Sequence, residues 1–125
     1  MNISNNNPRM AKTSNKDQCL LYLKRYAEKD LEGVAALFAD DIVLRDWKIR
    51  VEGKQRAIQE TQKNFETAQS LTIDVLYIYE NGDTVAAELR IVVNEVEELY
   101  VVDVITFNPK GLITSIRAYL GRGDD

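Results

Sequence analysis

Three polar side chains interrupt otherwise apolar patterns in this chain. In the stretch YVVDVITF, Tyr100 to Phe107, period-two spacing puts Val101, Asp103, Ile105 and Phe107 on one face, with Leu99 before them. Aspartate is disfavoured in strands. Asp103 therefore either faces the core for a reason, or lies on a strand turned outward to water. Asp46 shares the face of Ile42 and Leu44, and Tyr22 recurs at helical spacing with Cys19, Leu23 and Tyr26.

If the three meet in one apolar cavity, a specific chemistry follows. Desolvation disfavours an ionised carboxylate and raises its pKa by up to about 3–5 units. A neutral Asp103 is then a hydrogen-bond donor near pH 7, and with the Tyr22 hydroxyl it makes a two-donor oxyanion hole. Such a donor is worth about 10²–10³ in rate. An ionised Asp46 nearer the mouth would serve as a general base, worth about 10²–10⁴. Together they suit proton abstraction next to a carbonyl, with the enolate held by Tyr22 and Asp103 and no metal or other cofactor required.

The composition narrows the alternatives. The 125 residues carry 16 Lys and Arg against 20 Asp and Glu, a net charge of −4, and 45% are hydrophobic. One soluble globular domain is expected. The acidic balance argues against a nucleic-acid surface. No apolar run reaches the ~20 residues of a membrane helix, and the stretch MNISNNNPRMAKTSNK has no apolar centre like that of a secretory signal. A cytoplasmic location is expected. With no histidine and only Cys19, the chain lacks the residues for a Ser-His-Asp or Cys-His site, a His-ligated metal or an internal disulfide. Acids and bases must come from Asp, Glu, Tyr, Lys or Cys.

The elements that would position the three residues can be read along the chain. Residues 1–13 read as a disordered polar arm, 14–121 as the domain and 122–125 as a tail. Ser14 with Asp17 resembles a helix start, and that helix runs to Lys29-Asp30. A second, shorter helix carries Leu31, Val34, Leu37 and Phe38. A strand from Ile42 to Trp47 precedes a third helix with Ala57, Ile58, Thr61 and Phe65. Four strands follow: Leu71–Tyr79, Thr84–Val93, Leu99–Phe107 and Leu112–Tyr119. Asn81-Gly82 marks a hairpin, and Asn108-Pro109-Lys110-Gly111 a type I turn. Helices followed by hairpin-linked strands predict an α+β fold with helices on one face of an antiparallel sheet.

At these residues the chain resembles the Δ5-3-ketosteroid isomerases of the nuclear-transport-factor-2-like (SnoaL-like) superfamily. The resemblance rests on DLEGVAALFADDIVLRD (Asp30 to Asp46), VVD (Val101 to Asp103) and SIRAYLG (Ser115 to Gly121), and it runs from about Cys19 to Gly121. It implies a cone of three N-terminal helices packed on a curved mixed or antiparallel sheet around an apolar pocket. It also implies a cofactor-independent isomerase acting on a small hydrophobic, steroid-like ketone. The family's oxyanion-hole tyrosine falls on Tyr22, its general-base aspartate on Asp46 and its protonated aspartic acid on Asp103. A neutral Asp donating a hydrogen bond is an established feature of ketosteroid isomerase. The resemblance further implies a homodimer, for which Val102, Val104 and Thr106 on the far side of the strand from Asp103 are suited.

Some positions depart from the family. Gln62 stands near the place of a supporting tyrosine on the third helix, Trp47 follows Asp46 where proline is usual, and Leu120 replaces a pocket aromatic. Simpler roles also exist for each residue. Tyr22 suits a core position, Asp46 a turn, and Asp103 a buried ion pair with Arg90 or Arg117. Two other functions are compatible with the pattern: a non-catalytic module binding a hydrophobic small molecule, and a polyketide-cyclase-like enzyme.

Overall fold

The computed structural model describes residues 13–124. The expected arm over residues 1–13 therefore lies outside the described residues except for Thr13. Helix α1 (Asn15–Ala27) starts where Ser14 accepts a hydrogen bond from the Asp17 N–H, 3.0 Å away. Its positions Cys19, Tyr22 and Leu23 are buried, one stripe of the helix turned inward. The helix stops in a Schellman arrangement. The Lys29 N–H donates to Tyr26 O, and the Asp30 N–H to Arg25 O. Lys29 takes the left-handed conformation there, at φ 57°, where glycine is usual.

Asp30 at once caps α2 (Leu31–Ala35), its carboxylate accepting from the Gly33 N–H at 2.9 Å. Arg25 donates to Gly33 O at 2.9 Å, tying the two helices together. Strand β1 (Phe38–Arg45) begins earlier than the apolar spacing suggests. Phe38, which fits the helical periodicity of Leu31, Val34 and Leu37, already belongs to the strand. Non-local pairing with Ile113 overrides the local pattern. β1 then turns back into β2 (Arg50–Glu52), three residues too short to show a strand period in the sequence. Helix α3 (Lys54–Thr67) follows, burying Ala57, Thr61 and Phe65 at i, i+4 and i+8.

The remaining strands are β3 (Leu71–Asn81), β4 (Thr84–Val93), β5 (Glu97–Phe107) and β6 (Ile113–Leu120). The β3–β4 hairpin has Gly82 and Asp83 as its two loop residues, with Gly82 at φ 61°. Glycine at the first central position is the type II′ pattern. Between β5 and β6 the Gly111 N–H donates to Asn108 O at 2.9 Å, the bond expected of the Asn108–Gly111 turn.

The six strands form one sheet in the order β2-β1-β6-β5-β4-β3. It is mixed, because β1 runs parallel to β6 while every other pair is antiparallel. A sequence read as hairpins does not show this crossover, so the purely antiparallel alternative is corrected. Register shifts in β1, near Leu76 of β3 and at the end of β5 bend the sheet around the helices. α1 packs on β3 and β4, and α3 on β1. The core between them is formed by Phe38, Ile42, Val85, Leu89, Ile105 and Ile113, among others.

The α1–α2 corner sets where β1 begins, and so where Asp46 emerges. A Cβ on Gly33 would lie 2.2 Å from Asp30 Oδ2 and 2.9 Å from Arg25 Cδ. Asp30→Ala is expected to cost about 1 kcal/mol in urea unfolding through loss of the cap. Gly33→Ala is expected to cost more, because the cap and the Arg25 bond are both displaced. Equal stability of Gly33→Ala and wild type would show that the corner relaxes freely.

Candidate functional site

Asp103 lies in the middle of β5, between Ala87 of β4 and Ala118 of β6. Both neighbours on the inner face are thus alanines, of which Ala118 lines the same cavity as Asp103 while Ala87 is fully buried. Asp103 is only 8% exposed, yet no hydrogen bond or ion pair reaches its carboxyl among the described residues. The ion-pair alternatives are not realised. Arg90 binds Glu98 and Asp74 on the exposed outer face, and Arg117 donates to Ser115 Oγ at 2.7 Å. Desolvation alone raises Asp103 from 3.8 to about 7.

Tyr22 enters the same space from α1. Burial pushes its phenol well above the usual range, and the charge of Asp103 adds to the rise. Its ring packs against Tyr26, 5.8 Å between centroids, and against Phe38 at 6.5 Å. Cys19, one turn earlier, is raised to about 12, first by burial and then by Asp103. It is a protonated, unreactive thiol in the core. Gln62, where the resemblance has a supporting tyrosine, points to solvent and donates to Glu66. The Tyr22 hydroxyl consequently makes no hydrogen bond among the described residues.

Asp46 sits one residue beyond the end of β1. Its Oδ1 accepts from the Lys48 N–H at 2.7 Å and the Ile49 N–H at 2.9 Å, and its own N–H donates to Ile49 O at 2.9 Å. The turn role that its position suggests is therefore real. It occupies only one carboxylate oxygen. Oδ2 makes no hydrogen bond among the described residues.

Tyr22, Asp46 and Asp103 all line one cavity of about 380 Å³. Small-molecule sites commonly run from about 300 to 1,000 Å³. The sheet supplies a hydrocarbon wall from Leu71, Ile73, Leu89, Ile91, Val101 and Ile116. The opposite wall is α3, which presents Glu60, Thr61, Lys63, Asn64 and Thr67. Trp47, 43% exposed, stands at the mouth beside Lys48. Leu120 faces the same side of the sheet as Val101, but it is half exposed at the strand end and does not line the cavity.

One pair escapes a reading of the sequence. Asn64 Nδ2 donates to the Tyr26 hydroxyl at 3.1 Å, and both residues line the cavity. They lie 38 positions apart on different helices. The available signal was the run of polar residues at helical spacing on α3, beside the buried Ala57 and Phe65.

A profile of the SnoaL-like domain matches residues 21–116. Among the curated proteins, none matches this sequence. Several solved structures share the fold. One is a protein from Kribbella flavida provisionally assigned as a ketosteroid isomerase, 17% identical, with a TM-score of 0.76 over 89% of this chain and 80% of that one. Another is SalBIII, an epoxide hydrolase/cyclase-like enzyme of pyran ring formation in the polyether salinomycin. It is 24% identical, with a TM-score of 0.75 over 86% of this chain and 90% of its own. A third is an LEH-like epoxide hydrolase of M. tuberculosis, 19% identical, with a TM-score of 0.74 over 86% and 82%. At these identities the likeness is one of fold.

The buried carboxyl has a consequence for stability. Between about pH 4 and pH 7 the folded chain keeps the Asp103 proton while the unfolded chain has lost it. The contribution of this group to stability therefore falls as pH rises through that window, by about 4 kcal/mol in all. Asp103→Asn removes the titration and keeps the shape. Its stability relative to wild type is expected to climb across this window, by up to about 4 kcal/mol, in chemical unfolding followed from pH 4 to pH 8. A constant difference across that range would mean that Asp103 does not hold its proton in the fold.

Proposed function

The chain belongs to the SnoaL-like domain family, and from that premise we propose that it is a cofactor-independent enzyme that moves a proton next to a ketone, an isomerase of the ketosteroid type. The observation that carries this reading is the buried Asp103 carboxyl, unpaired and facing a cavity with Tyr22. In this mechanism Asp46 Oδ2 removes a proton alpha to the carbonyl. The electron pair moves to the ketone oxygen, where the Tyr22 hydroxyl and the neutral Asp103 carboxyl donate to the developing charge. Asp46 then returns the proton at the carbon conjugated with it. The two backbone N–H groups on Oδ1 hold the carboxylate in one orientation for both transfers. The hydrocarbon wall excludes water and takes the apolar body of the substrate.

The outer face of the sheet, with Val102, Val104 and Thr106 on β5, is proposed as the contact of a homodimer. No helix among the described residues is long and apolar enough to cross a membrane. A cytoplasmic location, with a small-molecule substrate and no nucleic-acid or membrane partner, completes the reading.

A second reading is favoured by the position of Asp103 at about 7. A group that titrates near neutrality can give up its proton outright as well as share it. Asp103 would then give its proton to the oxygen of an epoxide, with the Tyr22 hydroxyl hydrogen-bonded to the same oxygen, while Asp46 takes the proton of the attacking hydroxyl. The epoxide hydrolase/cyclase-like neighbours make this a natural comparison.

The assay that separates the two follows the ultraviolet band of the conjugated enone formed from a Δ5-3-ketosteroid. Asp46→Asn keeps Oδ1 and hence the turn, and is expected to lower kcat by about 10²–10⁴ with KM within a few-fold. Unchanged turnover in this variant would remove Asp46 from the mechanism. No turnover by folded wild type, with hydrolysis of a small aliphatic epoxide instead, would favour the second reading. The pH profile gives an independent check. Because the oxyanion hole needs the protonated form, kcat/KM is expected to fall as pH rises through about 7. Asp103→Asn, which keeps an N–H donor, is expected to lose that descending limb. A limb that survives in Asp103→Asn belongs to another group.

A further inference from the structure

The cavity is two-faced. Apart from the Asp103 carboxyl, its sheet wall is hydrocarbon, while its α3 wall carries polar side chains. Most of the helical polar groups are already committed. Thr61 Oγ1 donates to Ala57 O at 2.8 Å, Thr67 Oγ1 to Asn64 O at 3.1 Å, and Lys63 pairs with Glu60 at 3.1 Å. The Tyr26 hydroxyl is different. It accepts from Asn64 Nδ2, and its own proton finds no acceptor among the described residues. Its ring is fixed by an edge contact with Phe65 at 4.8 Å and by Tyr22 at 5.8 Å. A rigid phenol, oriented by an amide and with a free proton, is a built donor toward a ligand. Tyr26 lines the same cavity as Asp103 and Asp46.

We propose that Tyr26, oriented by Asn64, holds a second oxygen of the ligand, so that the substrate is a ketone with a further carbonyl or hydroxyl on the edge facing α3. A ketone on a bare hydrocarbon frame would leave this donor unused. The proposal rests on the reading of Tyr22 and Asp103 as the anchor of the first oxygen. Here Tyr26 is a specificity-determining residue, and Asn64 is its positioning residue.

The test is binding, so it needs no turnover. Titration calorimetry at pH 6 compares 2-naphthol with 2,3-, 2,6- and 2,7-dihydroxynaphthalene. These flat probes carry one or two oxygens at different separations. At least one diol is expected to bind about 3- to 10-fold tighter than 2-naphthol, the range of one added hydrogen bond. Tyr26→Phe is expected to abolish that gap and leave 2-naphthol within about twofold. Asn64→Ala, at an exposed helix position, is expected to narrow the gap in the same way and serves if Tyr26→Phe does not fold. Diols that bind no tighter than 2-naphthol, or a gap that survives both variants, overturn the proposal. Tyr22→Phe is the separate arm. It is expected to weaken all four probes alike, and unchanged 2-naphthol binding there contradicts the first anchor while the diol gap still reports on Tyr26.

Discussion

The structure depends on one costly placement, a carboxyl on the inner face of the central strand β5 with nothing to pair it. Burial of an unpaired charge is so unfavourable that the group holds its proton instead. For Asp103 the result is a group that titrates near neutrality, not in the acid range. The surroundings enforce this. Its strand neighbours Ala87 and Ala118 offer no polar partner, and the cationic groups of the same strands lie on the opposite face. A leucine at position 103 would fit the strand pattern better. The carboxyl instead opens a polar point at the bottom of a hydrocarbon cavity.

The other parts of the site follow from how the sheet and helices meet around that point. α1 brings Tyr22 to it because Cys19, Tyr22 and Leu23 form the buried stripe of that helix. β1 delivers Asp46 to the mouth because the strand ends at Arg45 and the chain must turn at once into β2. The Asp46 carboxylate makes that turn and is oriented by it, so one residue serves structure and site together. α3 closes the remaining side, and its polar flank makes the cavity asymmetric.

Much of this was legible in the sequence wherever the signal was local or periodic. The Ser14 cap and the Asn108 turn depend on a few adjacent residues and stand where the sequence suggests, and the hairpin marked by Asn81-Gly82 turns one residue later, at Gly82-Asp83. Asp103 was visible because period two is strict and an acid in an apolar face breaks it. The parallel pairing of β1 with β6 was not legible, because it joins segments some seventy residues apart and leaves no local trace. Phe38 went to the strand for the same reason, and β2 was too short to show a period. The Tyr26–Asn64 bond was hidden because each partner looks ordinary on its own helix. The alanines beside Asp103 carried information that only the strand register reveals.

The most direct measurement is the ionisation of Asp103 itself, read from the carbon-13 shift of its side-chain carboxyl across pH 4 to 9 in protein labelled at aspartate and assigned with Asp103→Asn. The account predicts a midpoint near 7, with the proton retained through the mildly acidic range. A midpoint near 4, the ordinary value for an exposed aspartate, would contradict it. The carboxyl would then be charged in use, and the cavity would lack the neutral donor on which the site is built.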